Sequence, residues 1–481
     1  DLSNNTALEY LDCSSNQLTT LDMRNGVTEA LTTFDATDNS LSCILVNEED
    51  EDWATANWTY ENENIDDGII FSHDCTTGDG DIIQMGSDID GEDIGDHFGR
   101  VSISSDGTIV AIGAPNNGGG GEDAGHVRVY EYSGGDWLQL GSDIDGEAVG
   151  DFSGNSVSLS SDGTIVAIGA IGNDGNGDDA GHVRVFEYSG SDWVQVGSDI
   201  DGEAGEDHSG NSVSLSSDGT IVAIGAIGND GTGDGAGHVR VFEYIGSDWV
   251  QLGSDIDGED AGDESGHSLS LSSDGTIVAI GAVLNFGTGS YSGHVRIYEY
   301  DGSDWVQMGS DIDAESEGDY SASLSISSNG TIVAVGSMQN DGSGENAGHV
   351  RIYEYNGSDW VQMGNDIDGE TEGDFSGENV SISSDGTIVA IGAKFNDDNG
   401  ENSGHVRVFE YIGSDWVQFG SDIDGEDAGD FSGIVSLNSS GSILAIGAHG
   451  TIFGDGDRAG CVRVYSLDGT LPYTGPVWHV A

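Results

Sequence analysis

One unit recurs seven times, every 55 or 56 residues, from about residue 81 to residue 466 of a 481-residue chain. The phrase Gly-Ser-Asp-Ile-Asp-Gly-Glu begins at Gly86, Gly141, Gly197, Gly253, Gly309, Gly364 and Gly420, with Ala for its second Gly in the fifth copy and Asn for its Ser in the sixth. A second phrase, Gly-His-Val-Arg, begins at Gly125, Gly181, Gly237, Gly293, Gly348 and Gly404, and returns at Gly460 with Cys461 in place of His. Each such unit is too small to bury a core alone, so the copies must pack on one another. Seven like units that turn by a constant angle close a ring.

Each unit reads as four strands. In the second copy, residues 156–160 alternate apolar and polar, as a half-buried strand does. Ser161-Asp162-Gly163 is a tight hairpin turn. Residues 164–170, Thr-Ile-Val-Ala-Ile-Gly-Ala, form a continuous apolar run suited to a strand covered on both faces. A Gly/Asn/Asp loop then leads to His182-Val-Arg-Val-Phe-Glu-Tyr188, a short turn, and Asp192-Trp-Val-Gln-Val196. Four-stranded units of this length are propeller blades, so the expected fold is mainly β: a seven-bladed β-propeller over residues 81–466, with residues 467–481 as a tail or linker. The first copy starts at its fourth strand, residues 81–85, and the seventh ends after its third. Residues 81–85 are therefore expected to complete the seventh blade and lock the ring.

Acids outnumber bases by 88 to 11, a formal net charge of −77, which disfavours nucleic acid and anionic membrane surfaces as partners. Lys394 is the only lysine, and seven of the ten arginines belong to the Gly-His-Val-Arg phrases. The regular apolar runs argue for a folded chain despite this acidity. No run of 18 apolar residues is present, so no membrane insertion is expected.

Residues 1–76 follow a different pattern. Leu8, Leu11, Cys13, Asn16 and Leu18 fit L-x-x-L-x-(L/C)-x-x-N-x-L, and Leu31, Phe34, Ala36, Asn39 and Leu41 repeat it 23 residues on. The apolar positions point inward and the Asn side chain bonds the turn backbone. Cys13 is expected to be a buried thiol, and Trp53, Trp58 and Tyr60 a small apolar cap. With Leu41-Ser-Cys-Ile and a closing Phe71-Ser-His-Asp-Cys75, this segment resembles the leucine-rich repeats of secreted Bacteroidetes proteins. That resemblance implies an exported, often surface-delivered protein, in which Cys43 and Cys75 would make a sensible disulfide.

The repeated units resemble the FG-GAP repeat of integrin-type propellers. Phe98-Gly99 carries the FG, Gly113-Ala114-Pro115 the GAP, and Gly-His-Val-Arg-Val-Tyr stands where that family has Gly-x-Val-Tyr-Val-Phe. The resemblance implies a propeller, and it says little of function, since such propellers serve adhesion, scaffolding and enzymes. Integrin-type blades hold Ca²⁺ in the first hairpin. Here that hairpin keeps Asp162 but lacks the outer carboxylates, so this site is not expected to carry over.

Strand directions place two loop families on one rim: the fourth-strand-to-next-blade connection and the second-to-third-strand connection. The first supplies Asp88, Asp90, Glu92 and Asp96 in copy one. Its equivalents are Asp143, Asp145, Glu147 and Asp151; Asp199, Asp201, Glu203 and Asp207; Asp255, Asp257, Glu259 and Asp263; Asp311, Asp313, Glu315 and Asp319; Asp366, Asp368, Glu370 and Asp374; and Asp422, Asp424, Glu426 and Asp430. Oxygen ligands spaced around a Gly turn are what Ca²⁺ requires. The competing reading is a plain solvated surface that suits salty surroundings.

The seven phrase arginines, Arg128 to Arg463, are expected to pair with neighbouring acids and pack against the next blade. The six phrase histidines are expected to hydrogen-bond turn backbone, and Trp137, Trp193, Trp249, Trp305, Trp360 and Trp416 to anchor blades, with Ile82 in the seventh slot. No catalytic constellation is found. The sequence therefore points to a secreted or cell-surface, non-enzymatic binding or adhesion module, cation-dependent through its acidic loops, whose partner is an extracellular protein, a polysaccharide or other copies of the same surface protein. The alternatives are an architectural spacer or filament subunit and an accessory domain of a polysaccharide-active enzyme.

Overall fold

The computed structural model describes residues 82–450, 459–469 and 471 and, ahead of them, residues 8, 10–14, 16, 21–24, 31, 33–37, 43–47, 54, 58, 65 and 70–72. Two compact units divide the chain, Asp1–Ile82 and Ile83–Ala481.

The first unit is a parallel ladder. Tyr10–Asp12 pairs with Thr33–Asp35, Tyr10 opposite Thr33, and Leu21 lies opposite Ile44, so each step is the 23-residue offset of the leucine pattern. Cys43–Leu45 pairs in turn with Ile70–Ser72. Leu21, Met23, Phe34, Ile44, Val46 and Trp58 form its core, and Trp58 stacks on Phe34 at 4.1 Å. Asn16 Nδ2 donates to the Cys13 carbonyl at 2.8 Å, the expected turn bond. Cys13 is half-buried rather than buried, and its Sγ lies 3.4 Å from the Asp35 carbonyl. Cys75, Trp53 and Tyr60 lie outside the described residues, and with them the Cys43–Cys75 pairing and most of the expected cap.

The second unit is a seven-bladed propeller of antiparallel sheets. In the second blade the strands are Ser153–Leu159, Ile165–Ala170, His182–Tyr188 and Trp193–Gln195, in that spatial order. A fifth, two-residue strand was not expected: Ile144–Asp145, within the acidic phrase, pairs with the start of the preceding blade's third strand, Asp145 opposite His126. Gly141, at φ +78°, bends the chain out of the fourth strand before that short strand resumes the sheet. This explains the Ile in each phrase, since Ile144 is buried among the strands.

The apolar run of the second strand alternates large and small side chains. Val166 and Ile168 pack with Ala111, Val127, Val129 and Ile144 of the first blade. Ala167, on the other face, packs with Val213, Val222 and Ile224 of the third blade, alongside Val183 and Val185. Large thus faces small at every junction, and the blades interlock at interior density.

Closure is visible at the innermost strands. Ser105 N donates to Ser161 O, and the series continues through Ser217, Ser273, Ser328, Ser384 and Ser439, whose N donates back to Ser105 O at 3.2 Å. A second circle runs one layer away: Leu159 N donates to Ser102 Oγ and so on round to Ile103 N, which donates to Ser436 Oγ at 3.2 Å. The alternating serines of the first strand are therefore inter-blade acceptors. Ile83–Gln84 pairs with Cys461–Ser466, so residues near the start of the unit complete the seventh blade, as the phase of the repeat requires.

Each Trp of the fourth strand reaches back one blade. Trp137 Nε1 donates to the Met85 carbonyl at 2.6 Å, Trp249 to Val196 at 2.9 Å and Trp416 to Met363 at 2.9 Å. The preceding Asp adds a second pin, with Asp192 Oδ1 accepting from Ser142 N at 3.0 Å. These indoles are anchors, their N–H groups already committed.

Candidate functional site

The four carboxylates of each acidic phrase go to different partners. Asp151 is buried, and its Oδ2 accepts from Glu147 N at 3.1 Å and Ala148 N at 2.8 Å. Asp96, Asp207, Asp263, Asp319, Asp374 and Asp430 each accept from the backbone N–H three residues earlier in their loops. In five blades an Asn of the second-to-third-strand loop also donates to that oxygen, as Asn117 does to Asp96 at 2.8 Å. This carboxylate holds two loops together.

The second Asp of each phrase (Asp90, Asp145, Asp201, Asp257, Asp313, Asp368, Asp424) ends the short strand, and in five of them (Asp145, Asp201, Asp257, Asp313, Asp368) the carbonyl accepts from the next blade's arginine, as Asp145 O does from Arg184 at 2.7 Å. The Glu lies against that same arginine: Arg184–Glu147 is 3.7 Å, Arg240–Glu203 3.8 Å, Arg351–Glu315 3.7 Å and Arg463–Glu426 3.0 Å. The arginines are buried and five of them lie over a neighbouring Phe or Tyr ring at 5.3–5.6 Å, so the expected pairing and packing are what the structure has. The first Asp of each phrase (Asp88, Asp143, Asp199, Asp255, Asp311, Asp366, Asp422) accepts from the Gln four residues earlier, as Asp143 does from Gln139 at 2.6 Å.

What the ring brings together is a Glu from one phrase, the His of the third strand and the first Asp of the following phrase. Glu92, His126 and Asp143 form one such group; Glu147, His182 and Asp199, Glu203, His238 and Asp255, and Glu259, His294 and Asp311 form others. Glu370, His405 and Asp422 are joined by Asp398 of the adjoining loop. In each group the ligand atoms lie within 4.8 Å of one another, a span that one ion at ordinary metal–ligand distances bridges.

The turn hydrogen bonds expected of the histidines are not found among the described residues. Nε2 of His182, His238, His294 and His349, and Nδ1 of His405, are buried with no hydrogen-bond partner. Burial also holds these imidazoles below their ordinary pKa, His294 and His405 at about 4, so they are neutral near pH 7 and able to ligate. The signal that could have found them is the register: the His opens the strand that pairs with the acidic phrase.

The first hairpin is built differently. Asp162 Oδ1 accepts from Ser160 Oγ at 2.9 Å, Thr164 N at 3.0 Å and Thr164 Oγ1 at 2.7 Å, so that carboxylate is consumed by the turn.

Stability should therefore depend on pH above the carboxylate range. The unfolded chain takes protons on these histidines near 6.5, and the folded chain refuses them until well below that, so folding stability is lost as pH falls through this interval. Thermal unfolding should show a falling Tm between about pH 7 and about pH 5, and a flat profile there would mean the imidazoles are not buried and neutral. At lower pH, Asp136, Asp192, Asp248, Asp304, Asp359 and Asp415, held below their usual value by hydrogen bonds from backbone N–H groups such as Ser87 and Trp137, add a loss of the same sign. Asp313 and Asp424, raised by burial, oppose it.

Residues 367–409 match the family model of the FG-GAP repeat. This is the sixth copy, from its acidic phrase into its third strand. The match agrees with the propeller seen in the structure, and an FG-GAP propeller is compatible with a binding or adhesion module. Among solved structures, the chain is similar to Kuenenia stuttgartiensis hydrazine synthase, at 12% identity over 74% of this chain and 93% of that one, with a TM-score of 0.48. It is also similar to a putative 6-phosphogluconolactonase from Bacteroides uniformis, at 14% identity over 67% and 84%, with a TM-score of 0.46. Neither likeness carries an activity over to this chain. No curated protein matches it.

Proposed function

We propose that this chain is a non-catalytic binding module that works outside the cell, and that its loop face takes up divalent cations at the blade junctions. The observation that carries the reading is the recurring Glu–His–Asp group around a neutral imidazole, whose Nδ1 faces the carboxylate of Asp311 at 4.0 Å in His294. A cation there would tie the phrase of one blade to that of the next, stiffening a broad acidic face for contact with an extracellular protein or a polysaccharide. Ca²⁺ is the cation the oxygen-rich phrases first suggest, and water would complete its shell. The imidazole tilts the preference toward Mn²⁺ or Zn²⁺. The first unit, read as leucine-rich repeats, fits an exported protein. No helix among the described residues is long and apolar enough to cross a membrane.

The arginine beside each Glu favours a second reading, an architectural spacer or filament subunit. There the guanidinium already balances part of the charge and no ion is needed. Thermal melts in chelator and in about 1 mM Ca²⁺, Mn²⁺ or Zn²⁺ separate the two. The cation reading expects Tm to rise by several degrees with at least one metal, and His238→Gln with His294→Gln to reduce that rise. An unchanged Tm with all three metals leaves the spacer.

A further inference from the structure

The seven blades are close copies, so departures from the repeat are informative, and they concentrate at one place. The circle of serine backbone bonds draws the hairpins together around the axis at one end of the channel. At the opposite end, where the first strands begin and the second strands finish, lies a cavity of 430 Å³. Its wall includes Arg100, Lys394, Phe152, Phe395, Phe431 and His449.

Three of these occupy slots that sibling blades fill otherwise. Arg100 lies opposite Gly113 in its sheet, where blades two to five place Ser156, Ser212, Ser268 and Ser323 opposite the equivalent Gly. Lys394 and His449 follow the second strand where blades two to four have Ile171, Ile227 and Val283. Lys394 pairs with Glu378. Arg100 has no ion pair or hydrogen bond from its side chain among the described residues, and the carboxylate that acts on it electrostatically, Glu378, is paired with Lys394, whereas each of the seven phrase arginines has a carboxylate partner. His449 Nδ1 is likewise buried without a partner.

The aromatic side of the wall is maintained against backbone preference. His97, Phe152, His208, Glu264, Tyr320, Phe375 and Phe431 stand at the same slot in their blades, all with φ of 51–55°. Glycine adopts this conformation freely and L side chains do not, yet none of the seven is glycine in a chain with 79 of them. A side chain is thus kept at this slot in every blade at a conformational cost, which points to use of the side chain, and His97, Phe152 and Phe431 bring it to the cavity wall. Phe431 stacks with His449 at 5.9 Å and meets Phe395 edge-on at 5.4 Å, making a continuous ring surface beside the cations.

We infer that the channel mouth binds the carboxylate of a ring-sized organic acid, with Arg100 gripping the carboxylate and the Phe and His rings lying against the body of the ligand. A guanidinium fork matches a carboxylate, and aromatic faces accept the apolar face of a sugar or of another ring. The volume lies within the usual range for small-ligand pockets. The overall negative charge does not forbid it, because at physiological salt charges more than about 8 Å away are largely screened while Arg100 acts at contact. A terminal uronic acid of a polysaccharide and a free aromatic acid share this chemistry. The inference deepens the binding-module reading but needs no cation, so its test is run in chelator, where failure of cation binding has no effect.

Calorimetric titrations of the full chain with glucuronic acid and benzoic acid, beside glucose and benzyl alcohol, test it. The acids should bind, and the neutral partners should bind at least about tenfold more weakly. Arg100→Ser and Lys394→Ile install residues that sibling blades already carry, so the fold is kept. Arg100→Ser should weaken acid binding by about tenfold or more, and Lys394→Ile by less. Tighter binding of glucuronic acid assigns the site to a polysaccharide end, and tighter benzoic acid to a small aromatic acid. No binding of either acid at about 10 mM, equal binding of acid and neutral partners, or unchanged binding by Arg100→Ser overturns the inference.

Discussion

Deleting residues 81–90 should leave the ring open and cost more stability than any single substitution in the blades. That segment supplies Ile83–Gln84 and Ile89–Asp90 to the seventh sheet, and Met85 N donates to the Val464 carbonyl at 2.7 Å. It also buries Met85 and Ile89 in a core shared with Phe98, Ile443 and Val464. Its Met85 carbonyl accepts from Trp137, and Asp88 meets Arg463 at 3.1 Å. Losing two buried side chains, several ladder bonds and a buried arginine's partner should cost on the order of 5 kcal/mol or more. Chemical denaturation followed by circular dichroism should show a much lower midpoint and a shallower transition. A synthetic peptide of residues 81–92 added in trans should restore part of the loss. A truncated chain that melts like the parent would mean that the ring is held by blade packing and the two-ended seventh blade adds little.

Gly225→Ala should be the most damaging conservative change inside a blade. The backbone of Gly225 is not in the left-handed region, so the glycine is not there for its φ. A Cβ at this position would overlap the Gly266 carbonyl, the first strand of the next blade. Every blade has the same contact: Gly113 against Gly154, Gly169 against Gly210, Gly281 against Ala322, Gly336 against Gly377, Gly392 against Gly433 and Gly447 against Gly99. The obstacle is backbone and cannot rotate away, so the methyl must push two blades apart, at about 3 kcal/mol. Gly246→Ala is the control: this turn glycine has φ +75° but open space around it, so only the smaller left-handed backbone cost applies. Equal Tm losses for the two variants would remove the steric account.

These two cases show what can be read from a chain of this kind and what cannot. The four strands per unit and the two-ended seventh blade follow from repeat phase and local alternation. The apolar run around Ile168 was legible as a strand covered on both sides. Its division into a large face and a small face was not, because that depends on which neighbour each face meets. Gly225 is conspicuous in the sequence, but its reason is a carbonyl 41 residues away, Gly266. The spacing of the acidic phrases suggests ligand sets within one loop, while the fold brings together carboxylates of successive phrases. Asp151 is absorbed by the backbone of its own turn, Glu147 turns to Arg184, and Asp199 comes from the next phrase to join it. His182, expected from the sequence to bond a turn, sits neutral beside those two carboxylates.

The amino-acid sequence by itself determined the number of blades, their strands and the point where the ring is sealed, because these rest on periodicity and on contacts between residues close along the chain. Only the tertiary structure decided which charges meet. Glu147 and Asp199 are 52 residues apart and become neighbours solely through the angle at which one blade packs on the next. The same holds for Arg100 and Lys394, separated by most of the ring in sequence and facing one cavity once the ends are joined. Electrostatic and ligand-binding properties depend on distance in space, and in a closed ring that distance is set by closure.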